Sequence, residues 1–222
     1  NGKKCDAIRT ELECLYKEKK ISDETYFYFL ASLINSIDKY ANTASVYGAF
    51  LKHLKKSAQK SFKLELLPYS NGIKGKVYNE DINELINKIH GDVLYLDPPY
   101  NARQYCTNYH ILETIARYDN PEIKGKTGLR NYDTQKSKYC SKRTVKSEFE
   151  DLIKKANFKY IFLSYNNEGL MSVDVIKDIM SKYGTYSCFT QTYRRFKADK
   201  DNNRNTGKKE TTEYLHCLIK EG

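Results

Sequence analysis

Apolar residues in the first forty positions recur at helical spacing. Cys5, Ile8, Leu12 and Leu15 stand three or four apart, and Phe27, Leu30, Ile34 and Ile37 repeat the interval to about Tyr40. Two amphipathic helices are therefore predicted, the second capped by Ser22 and favoured by Asp23 and Glu24 at its positive end. Tyr26, Phe29 and Leu33 widen its apolar face, which implies more than one packing neighbour. A third helical segment is expected over Thr43 to Lys56, weakened by Gly48. The period then changes. Phe62, Leu64 and Leu66 alternate with Lys63 and Glu65 as in a strand, and Pro68 with Asn71-Gly72 marks a turn. A domain boundary falls near there, leaving a helical region over 1–70 and an α/β portion over 71–222.

Gly75 to Tyr78 reads as a short strand. Asp81 is placed to cap a helix through Ile82, Leu85, Ile86 and Ile89, which Gly91 would end. Val93 to Leu96 is an apolar run fit for a buried strand, and Tyr109, Leu112, Ile115 and Ala116 predict a helix from about Tyr105 to Tyr118. Asp119 to Ser147 has no period and reads as a long irregular connection, of the kind that is functional or disordered. After it come a helix through Phe149, Leu152 and Ile153, a strand over Tyr160 to Tyr165, and a helix capped by Ser172 and closed by Gly184. Two strands, Thr185 to Tyr193 and Glu213 to Ile219, complete the chain. Alternating strands and helices predict an α/β fold with a largely parallel sheet and an antiparallel final pair.

One stretch carries the chemistry. Gly91-Asp-Val-Leu-Tyr-Leu-Asp-Pro-Pro-Tyr100 is a strand that stops at an acid, two prolines and an aromatic ring. Pro98 and Pro99 cannot donate ladder hydrogen bonds, so they end the strand and hold Asp97 and Tyr100 in a stiff geometry at its carboxyl end. That edge of an open α/β sheet is where ligands bind. Asp and Pro are also ordinary turn residues, so the motif's chemistry must come from its neighbours.

Net charge changes the picture. At +10, the chain suits a polyanionic partner, and the connection over 119–147 concentrates Lys124, Lys126, Arg130, Lys136, Lys138, Lys142, Arg143 and Lys146 against three acids. A second basic connection carries Arg194, Arg195, Lys197, Lys200, Arg204, Lys208 and Lys209. The six cysteines include no Cys-x-x-Cys pair, so neither a zinc site nor a disulfide framework is indicated. Cys106 and His110 could share a helix face, but two ligands do not make a zinc site. No apolar run approaches the ~20 residues of a membrane span.

Asp97-Pro-Pro-Tyr100 after a hydrophobic strand resembles the catalytic motif of amino-group DNA methyltransferases that modify adenine N6. The continuation Asn101-Ala-Arg-Gln-Tyr105, the segment Tyr109 to Tyr118, and Ala41 to Phe50 with Tyr193 to Lys197 are similar to the Dam-like D12 class, over nearly the whole chain. The resemblance implies a Rossmann-like class I sheet and S-adenosylmethionine as methyl donor, with no metal. It implies double-stranded DNA as substrate, a restriction-modification setting with a cognate endonuclease, and a cytoplasmic, nucleoid-associated location in a prokaryote.

By the same resemblance, the Asp97 carboxylate and the Pro98 carbonyl accept the two N6 hydrogens of an extruded adenine. Pro99 stiffens the turn and Tyr100 stacks on the base. Asp81, Ile82 and Asp97 are the candidate cofactor contacts, although N-capping explains Asp81 as well. Asn101, Arg103, Tyr105, Lys124, Lys126, Arg130, Arg194, Arg195 and Lys197 are the candidate DNA contacts.

The family also has a glycine-rich turn after its first strand. Here Gly48 is solitary, Gly72 and Gly75 lie in a turn, and Gly125 with Gly128 lies in the basic connection. Asn1 to Arg9 resembles an internal family segment, so the sequence reads as amino-terminally truncated, with the strand Val93 to Leu96 left as an exposed edge. Two other readings remain: a non-catalytic DNA-binding fragment or degenerate relative, and methylation of RNA or a protein amide. An Asn commonly replaces the acid in the latter, so Asp97 favours DNA.

Overall fold

The computed structural model describes residues 1–69, 72–194 and 210–220. In chain order the elements are α1 (Gly2–Lys17), α2 (Asp23–Tyr40), α3 (Ile82–Leu85), β1 (His90–Leu96), α4 (Tyr105–Asn108), α5 (His110–Arg117), β2 (Ile123–Lys124) and β3 (Leu129–Arg130). Two 3-10 turns follow, at Asp133–Gln135 and Lys138–Cys140. Then come α6 (Val145–Lys155), β4 (Asn157–Asn166), α7 (Val173–Met180), β5 (Gly184–Arg194) and β6 (Glu210–Lys220). They form two compact units, one of Asn1–Gly75 with Tyr105–Thr134, the other of Lys76–Gln104 with Gln135–Gly222.

In the first unit α1 and α2 form where the apolar period places them. The Ser22 hydroxyl accepts from the Thr25 N–H at 3.2 Å, closing the entry to α2 as expected. Leu12, Tyr26 and Leu30 make one cluster. Leu33, Ile37 and Phe62 make another, joined by Ile8, Leu112 and Ile115 from α1 and α5.

The alternating segment Phe62 to Leu66 is not a strand of any sheet. Its backbone is instead bonded by hydroxyls of α2: Ser36 Oγ accepts from Glu65 N–H at 2.9 Å, and Ser32 Oγ from Leu67 N–H at 3.1 Å. Tyr28 adds a bond to the Leu67 carbonyl at 2.7 Å. The third helix expected over Thr43 to Lys56 does not form either. Asn42 bridges that segment, accepting from Lys55 N–H at 2.9 Å and donating to the His53 carbonyl at 3.2 Å, so a side chain captures backbone groups a helix would need.

The predicted helix from Tyr105 to Tyr118 is split at Tyr109 into α4 and α5. His110, fully buried, sets its two ring nitrogens against the carbonyls of Thr107 at 2.9 Å and Thr127 at 2.7 Å. Part of the irregular connection is thereby ordered as the β2–β3 hairpin, whose turn has Gly125 and Gly128 at φ 69° and 66°.

In the second unit four strands form one mixed sheet in the order β1-β4-β6-β5. Only β1 and β4 run parallel; β6 is antiparallel to both of its neighbours. The largely parallel sheet expected from the sequence is thus corrected, while the final antiparallel pair is present. Leu94, Leu96, Ile161, Leu163, Tyr165 and Leu218 share the inner face and pack with Phe149, Leu152 and Ile153 of α6 and with Ile176, Ile179 and Met180 of α7. Because side chains alternate between faces, Val93, Tyr95, Phe189, Leu215 and Ile219 fall on the other face, and all five are exposed.

The helix expected through Ile89 shrinks to the single turn α3. Asn87 Nδ2 reaches back to the Asn83 carbonyl at 3.0 Å, satisfying an acceptor at the helix end while the chain turns into β1. No strand forms over Gly75 to Tyr78, where Val77 is fully exposed to water. Ser172 caps α7 by accepting from Val175 N–H at 3.3 Å, but α7 ends at Met180, and Gly184 opens β5 rather than closing the helix.

Candidate active site

Leu94 and Leu96 anchor β1 in the core, and the chain leaves the sheet at Asp97. Asp97 and Tyr100 are exposed; Pro98 and Pro99 are half-buried between them. β1 and β4 are parallel, so the segment after Leu96 and the segment after Asn166 emerge at the same edge. They are joined there by a hydrogen bond from the Leu170 N–H to the Tyr100 carbonyl at 2.9 Å.

The rest of the motif loop is fixed by its own polar side chains. Asn101 Oδ1 accepts from Arg103 N–H at 2.9 Å, a local turn that leaves the Arg103 side chain exposed. Gln104 makes two bonds to Ser137, accepting from its N–H at 2.8 Å and donating to its carbonyl at 3.1 Å. The Cys140 thiol lies 3.4 Å from the Arg103 carbonyl.

Asp81 stands at the start of α3 and accepts from the Asn83 N–H at 2.9 Å, so capping occupies one of its oxygens. Ile82 is half-buried against the core. Asn83 ties this corner together. Its amide donates to the Glu148 carbonyl and to Asp151 Oδ2, both at 2.9 Å, and its oxygen accepts from Tyr139 Oη at 2.9 Å. Burial, then the nearby carboxylates, drives the Tyr139 phenol far above its ordinary range, so it remains a donor.

The candidate DNA contacts divide between the units. Asn101 and Arg103 share the motif loop. Tyr105 lies in the first unit, its ring stacked on Tyr109 with centroids 5.9 Å apart. Lys124 and Lys126 are exposed on and beside β2, with Lys124 3.6 Å from Glu122. Arg130 is different. It is buried and holds Asp119 through both terminal nitrogens, the Nη1 bond at 3.0 Å, and that bond keeps the Asp119 carboxyl below its usual range. Arg194 ends β5, while Arg195 and Lys197 lie outside the described residues.

Sequence reasoning passed over Asn166 to Leu170, the loop that meets the motif. Its signal was a polar Asn-Asn-Glu-Gly turn directly after a buried strand, the same pattern that made Asp97 conspicuous. Among the described residues no group of three or more His, Cys, Asp or Glu side chains could hold a metal, and both nitrogens of His110 face carbonyls.

The sequence model of the D12 class N6 adenine-specific DNA methyltransferases matches residues 1–179. The chain belongs to this family. It is 56% identical to the Type II methyltransferase M.NlaIII of Neisseria lactamica, over 99% of the chain and 66% of that protein. It is 46% identical to the Type II methyltransferase M.FokI of Planomicrobium okeanokoites, over 89% of the chain and 31% of that protein. With the modification methylase LlaI of Lactococcus lactis subsp. lactis the identity is 37%, over 94% and 35% respectively. The D12 chain thus spans about two thirds of the first relative's length and about a third of the other two. No solved structure matches it. No helix among the described residues is long and apolar enough to cross a membrane.

Proposed function

We propose that this D12 chain is the target-base and DNA-contacting portion of a site-specific DNA adenine N6-methyltransferase in a restriction-modification system. The observation that carries the reading is Asp97-Pro98-Pro99-Tyr100 at the carboxyl end of β1, with the Tyr100 carbonyl held by Leu170. An exocyclic adenine amine is a poor nucleophile because its lone pair is delocalised into the ring. Two acceptors, the Asp97 carboxylate and the Pro98 carbonyl, engage its hydrogens and draw the nitrogen toward tetrahedral geometry. The adenine must first leave the duplex, since its N6 is unreachable while stacked and paired. Tyr100 then stacks on it, an interaction worth about 1 to 3 kcal/mol.

S-adenosylmethionine supplies an activated methyl group, so no strong base is required of the protein. The residues present fit only part of that cofactor. Asp81 keeps one carboxylate oxygen beyond its cap and Ile82 lies beside it. Among the described residues no glycine pair follows a strand of the β1-β4-β6-β5 sheet: Gly125 and Gly128 belong to the small hairpin, and Gly169 is single. We read the sheet as part of a class I methyltransferase sheet that a further strand extends along β1. In support, β1 stands at the edge of the sheet and, among the described strands, pairs with β4 alone.

In the complete protein, labelled methyl groups from S-adenosylmethionine reach adenine N6 of duplex DNA, and Asp97→Ala lowers the rate by about two to three orders of magnitude. Absence of label on adenine, or an Asp97→Ala protein as fast as the parent, overturns the reading. The uncovered edge also favours a narrower statement: these 222 residues alone bind DNA without transferring methyl. Micromolar binding of S-adenosylmethionine to the chain by calorimetry would sink that statement.

A further inference from the structure

We infer that Gly169 and Leu170 are positioning residues for Tyr100, an inference that rests on reading Tyr100 as the base-stacking residue. Pro98 and Pro99 have no N–H, so the motif can be fastened there only through its carbonyls. At Tyr100 the fastening is the Leu170 N–H at 2.9 Å. The loop that presents this donor is itself anchored at its start to β6, by Asn167 N–H to the Thr212 carbonyl at 3.0 Å and Thr212 N–H to Asn167 Oδ1 at 3.2 Å. Within it, Gly169 N–H donates to the Asn166 carbonyl at 3.2 Å, and Glu168 N–H to Asn166 Oδ1 at 3.1 Å.

Space, not torsion, makes residue 169 a glycine. A Cβ there would lie 2.1 Å from Cε1 of Tyr165 and 2.8 Å from its Cδ1 and Cζ. Tyr165 is 2% exposed and packed in the core with Met171, so its ring has no solvent to swing into. The backbone must give way instead. Any side chain at 169 lifts the loop off the ring and carries the Leu170 N–H away from the Tyr100 carbonyl. A displacement of about 1 Å in a positioning element can cost about a hundredfold in rate.

The test uses the complete methylase and duplex DNA carrying 2-aminopurine in place of the target adenine. In the parent protein the extruded base is quenched by stacking on Tyr100. Gly169→Ala leaves it extruded but bright, lowers kcat on unmodified DNA about a hundredfold, and keeps the dissociation constant for S-adenosylmethionine within about twofold of the parent. Adding Tyr165→Leu vacates the space a Cβ needs and restores at least about tenfold of the lost rate. Parent-like quenching and rate in Gly169→Ala, or a double variant no faster than the single one, overturns the inference. Should Gly169→Ala fail to fold, Leu170→Pro removes the same donor, and parent-like quenching there overturns it equally. A parent protein that does not methylate adenine refutes the reading of the motif itself, a result seen before any variant is made.

Discussion

Arg9 of α1 donates from Nε to the Ile115 carbonyl at 2.8 Å, a bond between residues 106 positions apart. The same guanidinium bonds Glu13 at 2.8 Å and Tyr26 Oη at 2.9 Å, and lies 4.2 Å from the centroid of the Tyr118 ring. At 3% exposure this is a buried charge with each guanidinium nitrogen hydrogen-bonded, so one residue fastens the end of α5 to α1 and α2. Arg9→Ala takes the guanidinium from Glu13, which keeps only Tyr26 Oη and Lys17, and from a helix-end carbonyl. We expect a loss of about 3 to 5 kcal/mol in chemical denaturation, and Arg9→Lys recovers little because an ammonium cannot span the same acceptors.

Glu13 adds a pH dependence to that cluster. Burial alone would raise its pKa, but the bonds from Arg9 and Tyr26 outweigh burial and lower it. A carboxyl lowered in the folded state stabilises above its unfolded pKa, and that stability is lost as pH falls through the folded value. Denaturation between pH 5 and pH 3, about the range of an ordinary glutamate, is therefore steeper in the parent than in Glu13→Gln.

His216 adds a pH dependence of the same sign by another route, as a buried neutral ring rather than a paired charge. It is fully buried on β6, its Nδ1 2.8 Å from Tyr186 Oη, and burial lowers its pKa to about 4. The unfolded chain takes up a proton near pH 6.5, which the folded chain refuses until about pH 4. Stability is thus complete above the unfolded value and falls across that window, by about 3 kcal/mol at 1.36 kcal/mol per unit. Replacing His216 with Asn removes this slope; an unchanged profile between pH 7 and 4 would show that His216 does not titrate there.

Local pattern was readable where local physics decides the outcome. The apolar period placed α1 and α2, the prolines placed the end of β1, and Ser22 and Ser172 cap the helices they were expected to cap. Where distant partners decide, the sequence misled. The alternation at Phe62 to Leu66 pairs with no strand; the backbone partners there are the α2 hydroxyls. Gly169 was unreadable for the same reason: its constraint is a ring four residues away whose placement depends on the sheet. Arg130 counted as one more basic residue until Asp119 appeared beside it.

The corner that carries Asp81 depends on Tyr139. Its hydroxyl is bonded to Asn83 Oδ1, and Asn83 holds α3 to α6 through Glu148 and Asp151. Tyr139→Phe leaves that buried oxygen without its donor at a cost of about 1 to 3 kcal/mol. If α3 presents Asp81 to the cofactor, this variant also weakens S-adenosylmethionine binding in the complete protein while its affinity for DNA stays put. Equal loss of both would mean that the whole unit, rather than the corner, had loosened.

The hairpin allows structural and phosphate-binding charges to be told apart. Arg130 spends its terminal nitrogens on Asp119 and is buried, whereas Lys126 is exposed at the turn. Each phosphate neutralised by a protein cation releases counterions and adds about 0.9 to the slope of log affinity against log salt. Lys126→Ala should reduce that slope by about one while leaving the melting temperature unchanged. Arg130→Ala should do the reverse, lowering stability because Asp119 loses its partner and leaving the slope where it was. A slope that drops in Arg130→Ala by as much as in Lys126→Ala would place Arg130 on the DNA and show that Asp119 releases it on binding.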